Sequence, residues 1–118
     1  MPTLLLKTSA PAPDQAAANA LLLDISGRVA KHLGKPESYV MVSLESGVSM
    51  SFGGNLDAPV AFMSLKSVGK MTAATTSAIS ADLCALVQEK LGVPQERVYI
   101  EFCDSPGYMF GWNGTTFG

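Results

Sequence analysis

The sequence predicts an α/β domain in which two βαβ units contribute to one four-stranded mixed sheet, with two helices covering a single face. Three observations lead there. The tetrapeptide Leu33-Gly34-Lys35-Pro36 returns as Leu91-Gly92-Val93-Pro94, almost half a chain length later. Each copy closes a stretch of apolar residues at helical spacing and precedes a stretch rich in Val, Tyr, Leu and Phe. At 118 residues the chain is one domain long. The two units, about residues 1–57 and 58–118, therefore make a single domain.

The elements follow in order. Residues 3–8 read as the first strand. The first helix spans 14–33, with Ala18, Leu22, Ile25, Val29 and Leu33 on one stripe and Gly34 as its stop. Residues 38–44 are the second strand, and 45–58, with Gly47, Gly53 and Gly54, are a connecting loop. The third strand is 59–66. The second helix carries Ile79, Leu83, Leu86, Val87 and Leu91 before Gly92, and 97–102 is the fourth strand. A right-handed crossover makes the strands of each unit parallel. From Ser105 onward the tail is aromatic and punctuated by glycine.

The strands are apolar without alternation: Leu4-Leu5-Leu6, Val40-Met41-Val42 and Val60-Ala61-Phe62-Met63. Such runs belong to strands covered on both faces. Two helices cover only one. The second face is expected to meet further copies of the chain, and the aromatic tail suggests that these close into a ring. A mean hydropathy of +0.25 points the same way, because a chain this small buries only about two-thirds of its unfolded surface alone.

Composition excludes several function classes. Eight Lys+Arg against ten Asp+Glu give a net charge of −2, which leaves no basic footprint for nucleic acid. The N-terminus has neither a basic leader nor an apolar run long enough for a signal peptide or a membrane span. No membrane partner is expected, and the cytoplasm is the default location. Cys84 and Cys103 are the only thiols and His32 the only histidine, without metal-ligand spacing. No metal site is expected. Redox chemistry is not expected either, since neither cysteine has a vicinal partner.

What remains is a corner of the sheet. Strands one and two begin at the same end, so Pro2 and Lys35 lie close. If the second unit runs antiparallel to the first, the end of strand three brings Ser67, Val68 and Gly69 there as well. Initiator methionine is normally removed before proline, leaving a secondary amine at the chain start. An α-amino group titrates near about 7.7–8.0, and a neighbouring ammonium and apolar walls both disfavour its charged form. That is a base usable at neutral pH beside a cation and backbone amides. The bland readings are an ordinary Met-Pro start and a lysine placed against a helix C-terminus.

Several motifs in order carry a family resemblance: Met1-Pro2, Gly34-Lys35-Pro36, Phe52-Gly53-Gly54, Ser64-Leu65-Lys66-Ser67-Val68-Gly69-Lys70, Arg97-Val98-Tyr99-Ile100, Gly111-Trp112-Asn113 and Thr116-Phe117. From Met1 to Phe117 the chain resembles the macrophage migration inhibitory factor family of the tautomerase superfamily. The resemblance implies a homotrimer of two-βαβ subunits. It also implies keto–enol tautomerisation of aromatic 2-oxo acids such as phenylpyruvate, without metal or organic cofactor. Pro2 would be the catalytic base, and Lys35 and the Val68 N–H would hold the substrate's oxygen atoms. Tyr99 would line the pocket from the neighbouring subunit, as would Phe110 and Trp112. Secretion without a signal peptide, and a receptor, are further properties the resemblance leaves open.

The chain departs from the family pattern in places. Glu101 stands where the family often has Asn, so a carboxylate would face an anionic substrate unless paired or turned away. Thr3 replaces a bulkier apolar residue beside Pro2, and Cys103 takes an aromatic position near the pocket mouth. Val60-Ala61-Phe62-Met63 replaces the CxxC of the mammalian members, and no thiol–disulfide activity carries over. Two alternatives to the tautomerase reading stay open: a cytokine-like binding protein with a weak or vestigial pocket, and a related proline-dependent hydration or decarboxylation.

Overall fold

The computed structural model describes residues 1–118. Strand β1 is Thr3–Thr8, helix α1 Gln15–Leu33, β2 Met41–Glu45, β3 Ala61–Val68, α2 Ala73–Leu91 and β4 Val98–Ser105. A small tail hairpin follows, with β5 Gly111–Trp112 and β6 Thr115–Thr116. The main sheet has the order β2-β1-β3-β4. β1 runs parallel to β2, β3 runs parallel to β4, and β1 and β3 pair antiparallel at the centre. This is the mixed sheet of two βαβ units expected from the repeat.

Both helices are capped at each end, and the glycine stops are the two expected from the sequence. Asp14 accepts the Ala17 N–H and Thr72 accepts the Thr75 N–H at the N-termini, while Gly34 and Gly92 take left-handed conformations at the C-termini. The repeat runs further than the tetrapeptide. Pro36 and Pro94 each open a one-turn 3₁₀ helix, Glu37–Tyr39 and Gln95–Arg97, before the next strand. That turn is why β2 starts at Met41 rather than residue 38. At the other end, parallel pairing of Ala61–Val68 with Val98–Ser105, residue for residue, carries β3 and β4 past the expected stops at 66 and 102. Cys103 therefore lies within β4, not beyond it.

The core sits between the helices and one sheet face. Leu4, Leu6, Met63 and Leu65 pack against Ile25, Val29, Ile79, Leu83 and Val87, all essentially fully buried. On α1 the buried stripe is Leu21, Ile25 and Val29 with Ser26 and Ala30. Leu22, expected on that stripe, is only half-buried. Because successive side chains of a strand point to opposite faces, the apolar runs split. Leu5, Met41, Phe62 and Tyr99 stand on the uncovered face, and the last is 65% exposed within the single chain.

The helices are joined across their outer surface by charge. Arg28 donates to Asp24 on its own helix and to Asp82 on α2, and His32 Nε2 lies 2.7 Å from the other Asp82 oxygen. Burial opposes the Asp82 charge, but hydrogen bonds from His32 and Arg28, with their charges, outweigh it and hold the carboxyl below its usual range. A depressed carboxylate stabilises the fold above its unfolded pKa and loses that contribution as pH falls through the folded value. Asp82→Asn should therefore cost about 1–2 kcal/mol at neutral pH. Urea midpoints of mutant and wild type, at one protein concentration, should converge well below about pH 3.9.

Candidate active site

The topology gathers three of the residues singled out in the sequence. Pro2 is buried at the start of β1, and its carbonyl accepts the Met41 N–H at 2.9 Å, which fixes the start of β1 against β2. Lys35 follows the Gly34 cap, and its N–H donates to the Ala30 carbonyl at 3.0 Å. Its side chain reaches across to the end of β3, where a methyl group built on Gly69 would lie 3.8 Å from the Lys35 Nζ. Val68 is the last residue of β3, paired with Ser105. The antiparallel β1–β3 pairing, a condition at the level of sequence, is what brings Val68 to the Pro2 end.

The chain-terminal amine senses this corner. Carried by Met1, it donates to the Tyr39 carbonyl at 2.9 Å. Partial burial first, and the Lys35 charge second, push its pKa below the ordinary value. Removal of Met1 would carry the amine to Pro2, the next residue, at the start of β1.

Beside the amine lies a cavity of about 220 Å³, lined by Met1, Thr3, Tyr39, Met41 and the tail residues Phe110, Trp112 and Phe117, among others. Phe110 and Trp112, expected from a neighbouring subunit, line it from the same chain. The tail folds back because Asn113 and Gly114 both take positive φ in the two-residue turn between β5 and β6. The rings then pack: Trp112 stacks on Phe117 at 5.6 Å, and Tyr39 meets both edge-on at 5.6 and 6.0 Å. Tyr39 went unnoticed in the sequence. Asn113-Gly114 was the available signal for the hairpin that delivers the aromatic tail.

Tyr99 and Glu101 lie elsewhere. Thr3, Lys66 and Cys103 form one row across β1, β3 and β4; Leu5, Ser64 and Glu101 the next; Lys7, Phe62 and Tyr99 the third. Tyr99 is four residues along β4 from the row nearest Pro2, about 13 Å at roughly 3.3 Å per residue. A single chain thus does not bring Tyr99 to its own Pro2. Glu101 is exposed on the uncovered face, and no ion pair engages it.

Fold and site together define a class: a small α/β sandwich built from a duplicated βαβ unit, with the chain-terminal amine, a lysine and an aromatic cavity at one end of its sheet. The whole chain, residues 1–118, matches the family model for macrophage migration inhibitory factor. A macrophage migration inhibitory factor homolog from Brugia malayi is 40% identical over 106 residues, covering 90% of this chain and 91% of its own. One from Trichinella spiralis is 38% identical over 117 residues, covering 99% and 100%. The crystal structure of a homologue from Prochlorococcus marinus superposes with a TM-score of 0.93 at 41% identity, covering 98% of this chain and 99% of that one. The chain belongs to the macrophage migration inhibitory factor family and has the tautomerase-superfamily fold.

The tail depends on one close approach. A methyl group at Gly107 would sit 2.6 Å from the Phe117 carbonyl oxygen and 2.7 Å from its carbon, so the backbone must move apart. Gly107→Ala should release the tail, breaking ring pairs worth about 0.5–1.5 kcal/mol each. The emission of Trp112, the only tryptophan, should shift to the red, and proteolysis between Tyr108 and Phe117 should accelerate. Unchanged emission and cleavage would contradict this account.

Proposed function

We propose that this protein is a cofactor-independent tautomerase that interconverts the enol and keto forms of arylpyruvates such as phenylpyruvate, with Pro2 as its base once Met1 is removed. The observation that carries the reading is the meeting of the chain-terminal amine, the Lys35 ammonium and an aromatic-lined cavity at one end of the sheet. Tautomerisation needs a neutral base within hydrogen-bond reach and something cationic to take charge developing on oxygen. The Pro2 nitrogen accepts the enol hydroxyl proton and returns it to the α-carbon, and the carbonyl forms with no net change in electrons. Lys35 and the Val68 N–H hold the substrate's oxygen atoms, while Phe110 lines the aryl end.

The site is completed by assembly. The uncovered sheet face and the distance from Pro2 to Tyr99 support a closed homotrimer in which each subunit lends Tyr99 and Glu101 to its neighbour's pocket. We place the protein in the cytoplasm. One observation favours the second reading, a cytokine-like binding protein with a vestigial pocket: Glu101 carries an unpaired carboxylate where an anionic substrate would approach.

Tautomerisation is followed by ultraviolet absorbance on material whose mass confirms loss of Met1. Pro2→Gly leaves a primary amine in a different place and should lose most of kcat. Lys35 holds the amine pKa down, so Lys35→Ala should raise that pKa and move the acid limb of kcat/KM to higher pH, together with a higher KM. An acid limb that stays in place, with Pro2→Gly fully active, would remove this corner as the site. Sedimentation equilibrium at micromolar concentration should report about three subunit masses; a monomer would remove the shared pocket.

A further inference from the structure

The end of the sheet away from Pro2 carries its own aromatic arrangement. Tyr99 packs against Phe52 from the connecting loop, with ring centroids 5.0 Å apart and planes inclined at 48°. Phe52 leads into a tight turn, bridged to Asn55 by paired backbone hydrogen bonds of 3.0 and 3.2 Å. Arg97, two residues before Tyr99, clamps this loop. Its Nε donates to the Pro59 carbonyl, its Nη2 donates to those of Asn55 and Ala58, and the guanidinium lies 5.7 Å from the Phe52 ring centroid. One planar fork thus holds the returning arm of the loop, residues 55–59, and lies against the Phe52 ring itself. Tyr99 is otherwise largely exposed, and a side chain so free would have to be ordered each time a ligand packs on it.

We propose that Phe52, held by Arg97, is a specificity-determining positioning residue: it presets the Tyr99 ring as the aromatic wall of the neighbouring subunit's pocket and so sets the preference for aryl over alkyl 2-oxo acids. This rests on the tautomerase reading and on Tyr99 reaching that neighbour. Phe52 touches Tyr99 rather than substrate, so its removal should fall on KM for the aryl substrate more than on kcat.

The test compares an arylpyruvate with a short-chain alkyl 2-oxo acid in processed, trimeric protein. Phe52→Leu and Phe52→Ala should lower the aryl-over-alkyl preference in kcat/KM by about three- to tenfold, mostly through KM. Phe52→Tyr should restore it to within about twofold. Arg97→Gln should lower it in the same sense, and Arg97→Lys, lacking the fork, should not rescue it. In a Tyr99→Ala background, Phe52→Ala should add nothing. If Tyr99→Ala lowers the preference while the Phe52 variants leave it unchanged, or add their full effect to it, the positioning role is overturned and the shared pocket stands. If wild type has no tautomerase activity, or Tyr99→Ala leaves the preference unchanged, the pocket reading falls and this role with it.

Discussion

The antiparallel pairing of β1 with β3 is the constraint on which the rest of the molecule depends. Each βαβ unit on its own has two parallel strands and one helix, which leaves too little apolar surface covered to stand alone. Joining the units through their first strands places β1 and β3 at the centre, buried on the helix side through Leu4, Leu6, Met63 and Leu65. Because the join is antiparallel, the start of β1, the approach to β2 and the ends of β3 and β4 share one end of the sheet. Pro2, Lys35, Val68 and the aromatic tail meet there for that reason. The start of β4 and the long loop are sent to the other end.

The two faces of the sheet are held by different physics. The covered face is secured by apolar burial, and the helices that cover it are tied outwardly by Arg28, His32 and Asp82. This partly buried tie joins α1 to α2 through the two oxygens of Asp82. The opposite face mixes Leu5, Met41, Phe62 and Tyr99 with Lys7, Lys66, Glu45 and Glu101. Its charges are distributed along the rows, and it has no helix to cover it. Surfaces of this kind suit contact with other copies or with water more than a second apolar core.

The electrostatics of the Pro2 corner follow from the same arrangement. An amine placed beside a fixed ammonium and partly out of water is easier to deprotonate, for two independent reasons that act in one direction. The Lys35 charge lowers the amine's affinity for a proton. Glu101, on the uncovered face, lies outside this corner within the single chain.

Most of the fold was legible in the sequence, and the reasons are local. Helix stops at Gly34 and Gly92, the proline that follows each of them, and the β-branched and aromatic strands all act within a few residues of themselves. Pro2 and Lys35 could be placed together because parallel strands must begin at one end. The family was legible because its motifs occur in order over the whole chain. Other features depended on long-range packing: that Leu21 rather than Leu22 faces the core, that β3 and β4 run on together to Val68 and Ser105, that Tyr39 joins the tail rings, and that Phe110 and Trp112 reach the cavity from their own chain. A helix stripe rotates by one residue to fit its neighbours, a strand lengthens when its partner does, and a tail finds its place only against a surface already built. Local residues determined which elements form and which end of the sheet bears the amine; only tertiary packing decided which side chains wall the cavity beside it.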